Sequence, residues 1–270
     1  MKTGAIGIFD SGLGGLTVVR EVRKVLPNES IIYFGDTGRV PYGNRSAETI
    51  YRYALQDVKF LLSKRVKMVV VACGTVSTVA KKAGEGLSVP FTGVVVPAAK
   101  AAAAATKNGK IGVIATAASI ASGAYDREIM GLNPDARVVG KACPLFVPLV
   151  ENGVFAPDDP IVKSVVERYL EPFKNDGTDT LILGCTHYPI LKEAIANYLG
   201  DGVTLIDTGV ETAKYIRTLM EENDILNYDG AESTCRFFVS DEPQGFAPTA
   251  SLLLGEDISG SVEHVDIEQY

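Results

Sequence analysis

The sequence predicts an α/β fold of two similar domains, each a mostly parallel sheet flanked by helices. Three observations lead there. Short β-branched runs alternate with longer segments of helical period along most of the chain, the pattern of parallel strands joined by crossover helices. Two passages share one plan, MVVVACGTVSTV around Cys73 and TLILGCTHYPIL around Cys185. Each runs an apolar strand into a small residue, a cysteine and a threonine, then a helix start, which suggests an internal duplication. At 270 residues, 46% apolar and 22% charged, the chain has the balance of a soluble globular protein and room for one large or two smaller cores.

In chain order, the strands expected are Ala5 to Phe9, Ile31 to Phe34, Val66 to Ala72, Thr92 to Val96, Ile111 to Ala115, Arg137 to Val139, Thr180 to Leu183, Val203 to Ile206 and Arg236 to Val239. Helices are expected over Ser46 to Ser63, Pro97 to Thr106, Asp158 to Lys174 and Thr208 to Glu222. The segment PAAKAAAAAT reads as an ordinary helix, because alanine has the best helix propensity and Pro97 suits a first turn. A fresh strand-helix series starts just after it, with KIGVIATAAS.

Several function classes fall away on composition. No apolar run approaches the roughly 20 residues of a membrane span, and the N-terminus reaches an acid too soon for a secretory leader. A cytoplasmic location is expected. The net charge of -7 argues against a broad phosphate-backbone interface, so nucleic acid is not an expected partner. The basic spot at Lys64, Arg65 and Lys67 reads as a solvated helix end. Four scattered cysteines without a C-x-x-C pair, and two histidines, make no zinc framework, so no metal is expected.

Ligands of open parallel sheets sit beyond the carboxyl ends of the strands, where helix N-termini present free N–H groups. Five polar stretches fall at that edge: Asp10-Ser11, Asp36-Thr37, Cys73-Gly74-Thr75, Thr116 and Cys185-Thr186-His187. The first, IGIFDSGLGGLT, has Gly12 and Gly14 after a strand and Asp36 at the end of the next. However, Thr17 stands where a dinucleotide fingerprint needs its third glycine, and Asp10 would face phosphate. Asp10 and Ser11 could equally be helix caps. Cys143 and Cys235 read as buried hydrophobes. Cys73 and Cys185, between strand and helix, are placed where helix-end N–H groups can lower a thiol pKa, and His187 could activate Cys185 or protonate a substrate.

These residues resemble the glutamate racemases, within the wider cofactor-independent amino-acid racemases. The motifs are FDSGLGGLTV at 9 to 18, YFGDTGRVPYGNRS at 33 to 46, VACGT at 71 to 75, PLVENG at 148 to 153 and GCTHYP at 184 to 189. The resemblance implies an isomerase that interconverts L- and D-glutamate without pyridoxal phosphate, metal or nucleotide, supplying D-glutamate for bacterial peptidoglycan. It implies Cys73 and Cys185 as the two catalytic thiols, with Asp10 and His187 assisting, in a cleft between the domains. Substrate contacts are implied at Asp10, Ser11, Pro41, Tyr42, Gly43, Gly74, Thr75, Thr186 and His187, with Asp36 and Glu151 secondary. It also implies a homodimer, and a first domain of 1–97 plus 208–270 enclosing a second of 98–207.

The chemistry accounts for two cysteines. Inverting a stereocentre by proton transfer needs a base on one face of Cα and an acid on the other, so one thiol starts ionised and the other protonated. One departure stands out: family members commonly carry Asn after the first cysteine, where this chain has Gly74. The Gly74 N–H, with or without a water, is expected to bind the same carboxylate, leaving the reaction unchanged and affinity open to change; a wild-type-like KM in Gly74→Asn would show the change to be immaterial. Other readings are a racemase for aspartate or a related acid, a cysteine hydrolase using Cys185 with His187, which leaves Cys73 idle, and a non-catalytic binder that needs neither thiol.

Overall fold

The computed structural model describes residues 3–228 and 233–270. Its strands, in chain order, are β1 (Ile6–Asp10), β2 (Ile31–Gly35), β3 (Met68–Val71), β4 (Phe91–Gly93), β5 (Lys110–Ala115), β6 (Arg137–Ala142), β7 (Thr180–Leu183), β8 (Thr204–Asp207), β9 (Cys235–Val239) and β10 (Val262–His264). They form two sheets, ordered β10-β9-β2-β1-β3-β4 and β6-β5-β7-β8. Every pairing is parallel.

The run β2-β1-β3-β4 in the first sheet and the whole of the second follow the same order, so β3 and β7 hold equivalent places. That equivalence is the structural counterpart of the repeated strand-cysteine passage. Each strand of a parallel sheet is covered on both faces, which is why IGIFD, MVVV and TLIL carry almost no polar alternation.

Neighbouring residues of a strand go to opposite cores, as the pleat requires. Ile6, Ile8, Val70 and Ala72 pack on the side of helices Leu16–Val25 and Thr208–Glu222, while Phe9, Val69, Val71 and Cys73 pack on the side of helix Ala47–Ser63. In the second sheet Ile114, Leu181, Leu183 and Cys185 join helices Pro160–Asn175 and Lys192–Leu199, and Ile111, Val113 and Ala115 join the alanine-rich helix. Each fully buried large apolar side chain contributes roughly 1.5–3 kcal/mol.

Helix starts follow local chemistry. Ser46 accepts from the Thr49 N–H, Asp159 from Ile161 and Val162 ahead of a helix opening on Pro160, and Asp207 from Gly209 and Val210. The helices expected over Ser46 to Ser63 and Asp158 to Lys174 thus start one and two residues later than drawn, with polar residues as caps.

Three expectations need correction. The strand expected over Thr92 to Val96 stops at Gly93, and Val95 opens the helix Val95–Ala105. Val94 and Val95 are both buried, in different cores, so the β-branched run reflects burial rather than extended backbone. Strand β10 was not expected; it lies on the sheet edge with one apolar residue in three and pairs with β9 alone. Lys67 is not a solvated charge: it is 3% exposed, pairs with Glu29 at 2.5 Å and donates to the Ile225 carbonyl at 2.8 Å.

Candidate active site

The carboxyl ends of β1, β3, β5 and β7 bring Asp10-Ser11, Cys73-Gly74-Thr75, Thr116 and Cys185-Thr186-His187 together. Cys73 caps the single helical turn Gly74–Ser77. Cys185 precedes the turn Tyr188–Leu191, whose first turn holds Pro189. Both thiols are nearly closed off from solvent, at 5% and 7% exposure.

Each thiol has its own polar partner. The Cys73 thiol donates to Ser11 Oγ at 3.6 Å, and Cys185 Sγ lies 3.8 Å from His187 Nδ1. The other ring nitrogen of His187 meets Glu151 Oε1 at 3.1 Å. Glu151, at the end of helix Phe146–Glu151, is half exposed and reaches inward to the buried imidazole.

The electrostatics of the two sides are opposite. Burial pushes the Cys73 thiol up to about 12, and the nearby Asp10 charge adds to that, against the hydrogen bonds it shares with Val76 and Ser11. The expected helix-end lowering therefore loses to burial at Cys73. Burial also opposes charge on His187, yet the hydrogen bonds to Cys185 and Glu151 prevail and hold it protonated up to about 10. Burial raises the Asp10 carboxyl above its ordinary value, against the pull of His187 and the Gly12 and Gly15 amides. One Asp10 oxygen accepts from Gly12 N at 3.0 Å, while its buried Oδ1 has no partner.

Hydroxyls join the two halves. Thr75 Oγ1 lies 2.8 Å from Thr116 Oγ1, which lies 2.9 Å from Ser119 Oγ. Thr17 directs its hydroxyl to the Thr186 carbonyl at 3.0 Å. Sequence reasoning put Thr116 on the edge without adding it to the site, and missed Ser119. The spacing T-x-x-S at a helix start was the available signal, and Thr116 does cap Ser119 N there.

Gly14 owes its identity to a close approach rather than to phosphate. A Cβ there would sit 2.1 Å from Thr186 Oγ1 and 2.6 Å from His187 Nδ1. At Gly74 it would meet the Gly184 carbonyl oxygen at 2.4 Å.

Asp36 does not face the thiols. Its carboxylate is saturated by Ser240 Oγ at 2.7 Å, Arg39 Nε at 2.6 Å and the Tyr42 hydroxyl. Arg39 also reaches the buried Asp57 at 3.1 Å. The Tyr42 hydroxyl is thus occupied, and the main chain of Pro41, Tyr42 and Gly43 is what remains for the cleft; a Cβ on Gly43 would stand 3.3 Å from Thr116.

A cavity of about 470 Å³ lined by Ser77, Arg127, Glu128 and Tyr215 contains neither cysteine. The paired thiols, not this hollow, mark the site. Among the described residues no group of three His, Cys, Asp or Glu is placed to hold a metal ion. Nor is any helix long and apolar enough to cross a membrane.

Residues 16–216 match the Asp/Glu/Hydantoin racemase family. Glutamate racemase of Geobacter metallireducens is 45% identical over 98% of this chain and 97% of its own. The solved structure of the Bacillus anthracis glutamate racemase isoform RacE1 superposes with a TM-score of 0.94 at 41% identity, covering 98% of both chains. That of the Francisella tularensis glutamate racemase in complex with D-glutamate gives 0.91 at 38%, covering 100% of both. On its full-length likeness and its paired strand-end cysteines, the chain belongs to the Asp/Glu/hydantoin racemase family, on the glutamate racemase branch.

Proposed function

We propose that this chain interconverts L- and D-glutamate by proton transfer between Cys73 and Cys185. The single observation that carries the reading is the pairing of two buried thiols on equivalent strands of the two sheets, each with a different polar partner. His187 beside Cys185 supplies the positive charge that a thiolate there needs. Burial, with the charge of Asp10 beside it, keeps the Cys73 thiol protonated. The Cys185 thiolate takes the α-proton from one face, Cys73 delivers its own to the other, and the thiols exchange states, ready for the reverse reaction.

Glutamate's α-proton is weakly acidic, so charge developing on Cα and the carboxylate must meet preorganised donors. The backbone N–H groups after each cysteine and the hydroxyls of Ser11, Thr75, Thr116 and Thr186 support that role. The carboxylate of Asp10, with one oxygen unpartnered, suits the substrate ammonium. The main chain of Pro41, Tyr42 and Gly43 completes the pocket, held by Asp36.

In this reading two lobes enclose the cleft, with the chain crossing between them near Val94 and Thr208. The boundary expected at 97/98 would cut the helix Val95–Ala105, so the crossing is drawn a few residues earlier. A cytoplasmic homodimer supplying D-glutamate for peptidoglycan fits the family. Incubation with L-glutamate in deuterated water tests the activity: optical rotation should decay as α-deuterium appears, and the absence of both would sink the reading.

A further inference from the structure

We infer that Thr17 is a positioning residue whose hydroxyl ties the Cys185-Thr186-His187 segment to the opposite side of the cleft, an inference that rests on the racemase reading above. Thr17 stands where a dinucleotide fingerprint would carry its third glycine, and the proposed reaction gives that position no part. It lies in the first turn of helix Leu16–Val25, which packs on the sheet that carries Asp10 and Cys73. Its hydroxyl reaches the Thr186 carbonyl at 3.0 Å, across 169 residues of sequence, and both residues are buried.

The bond answers a local deficit. In a tight helical turn of the kind that follows Cys185, each carbonyl accepts from the N–H three residues on. The Cys185 carbonyl accepts from Tyr188 in this way at 3.0 Å, and the His187 carbonyl from Ile190 at 3.1 Å. For Thr186 the corresponding residue is Pro189, which has no N–H to give. Thr17 supplies the missing donor from the other sheet's side. Its single hydroxyl proton has a second acceptor in reach, the Gly14 carbonyl at 2.9 Å, but that oxygen already receives the Thr17 N–H at 3.0 Å. The need therefore lies at Thr186.

The Thr186 carbonyl carbon is bonded to the His187 nitrogen, so its orientation sets the backbone on which the imidazole stands. That ring holds Nδ1 at 3.8 Å from Cys185 Sγ and Nε2 at 3.1 Å from Glu151. Release of the carbonyl lets residues 186 and 187 shift, and a misplacement of about 1 Å near the reacting atoms can cost on the order of 100-fold in rate. The close packing of Gly14 on Thr186 and His187 limits the shift, so a loss of about 10-fold is expected.

The test compares Thr17→Val, which keeps the shape and removes the donor, with Thr17→Ser, which keeps the donor, in the full-length protein. Thr17→Val should lower kcat by about 10-fold, and Thr17→Ser should stay close to wild type. His187 faces Cys185, Glu151 and the charge of Asp10, and its hydrogen bonds hold it protonated up to about 10. Loosening the ring from Cys185 in Thr17→Val should bring its imidazole NMR titration down by roughly half a pH unit, a change that mere loss of folded enzyme cannot produce. An unmoved titration, a kcat within twofold of wild type, or a Thr17→Ser as impaired as Thr17→Val overturns the inference. A crystal structure of wild type with D-glutamate adds an arm that needs no variant to fold. Thr17 Oγ1 must stay within roughly 3.5 Å of the Thr186 oxygen, and a longer gap overturns the inference. Wild-type racemisation, measured alongside a titration that is read without turnover, separates failure of this inference from failure of the racemase reading.

Discussion

Glu151→Gln should loosen the proton on His187 without touching either cysteine. The imidazole sits between Cys185 Sγ at 3.8 Å and Glu151 Oε1 at 3.1 Å. Those bonds, set against burial, take it from 6.5 to about 10. At 1.36 kcal/mol per pH unit this is roughly 4–5 kcal/mol as an upper figure. The Glu151 side chain is 42% exposed, so its share is screened, and ~1 kcal/mol is the reasonable portion, which moves the titration down by somewhat under one pH unit.

Because the folded-state value is raised, the associated stability is fully present below pH 6.5 and is lost as pH rises through about 10. With two histidines in the chain, imidazole NMR reads the titration directly, His264 on β10 serving as internal reference. The alkaline limb of kcat/KM should move down with it. A wild-type His187 that titrates near 6.5, or one indifferent to Glu151→Gln, would refute the reasoning.

Asp36→Ala should leave the Tyr42 hydroxyl without its acceptor while Arg39 keeps Asp57, costing about 1–3 kcal/mol of stability by urea unfolding and raising KM through a loosened 41–43 segment. Thr116→Val removes the contacts to Thr75 and Ser119, about 1 kcal/mol each; melting should fall by several degrees, and isothermal calorimetry should show weaker D-glutamate binding. Lys67→Met leaves Glu29 buried and unpaired, so stability should drop by about 3–5 kcal/mol while kcat holds, which separates this buried pair from the site.

The strand-end cysteines were legible because burial on both faces of a parallel sheet makes each strand an unbroken apolar run, and the first polar residues after it stand at the ligand edge. The same run hid the start of helix Val95–Ala105, since periodicity vanishes when every face is covered. Asp36 shows what position alone leaves open. It follows a strand as Asp10 does, but its oxygens are taken by Ser240, Arg39 and the Tyr42 hydroxyl, partners that lie apart from the strand and that its position does not announce. Thr116 and Ser119 were hard to rank because their importance comes from Thr75, which lies 41 residues away from Thr116.

The claim that stands or falls first is that two thiols act on opposite faces of one carbon. Cys73→Ala and Cys185→Ala, each folded and each incubated with L-glutamate in deuterated water, test it together with wild type. Wild type should lose optical rotation while gaining α-deuterium, and each variant alone should fail to racemise. Racemisation that survives in Cys73→Ala would contradict the account and leave Cys185 with His187 to act alone.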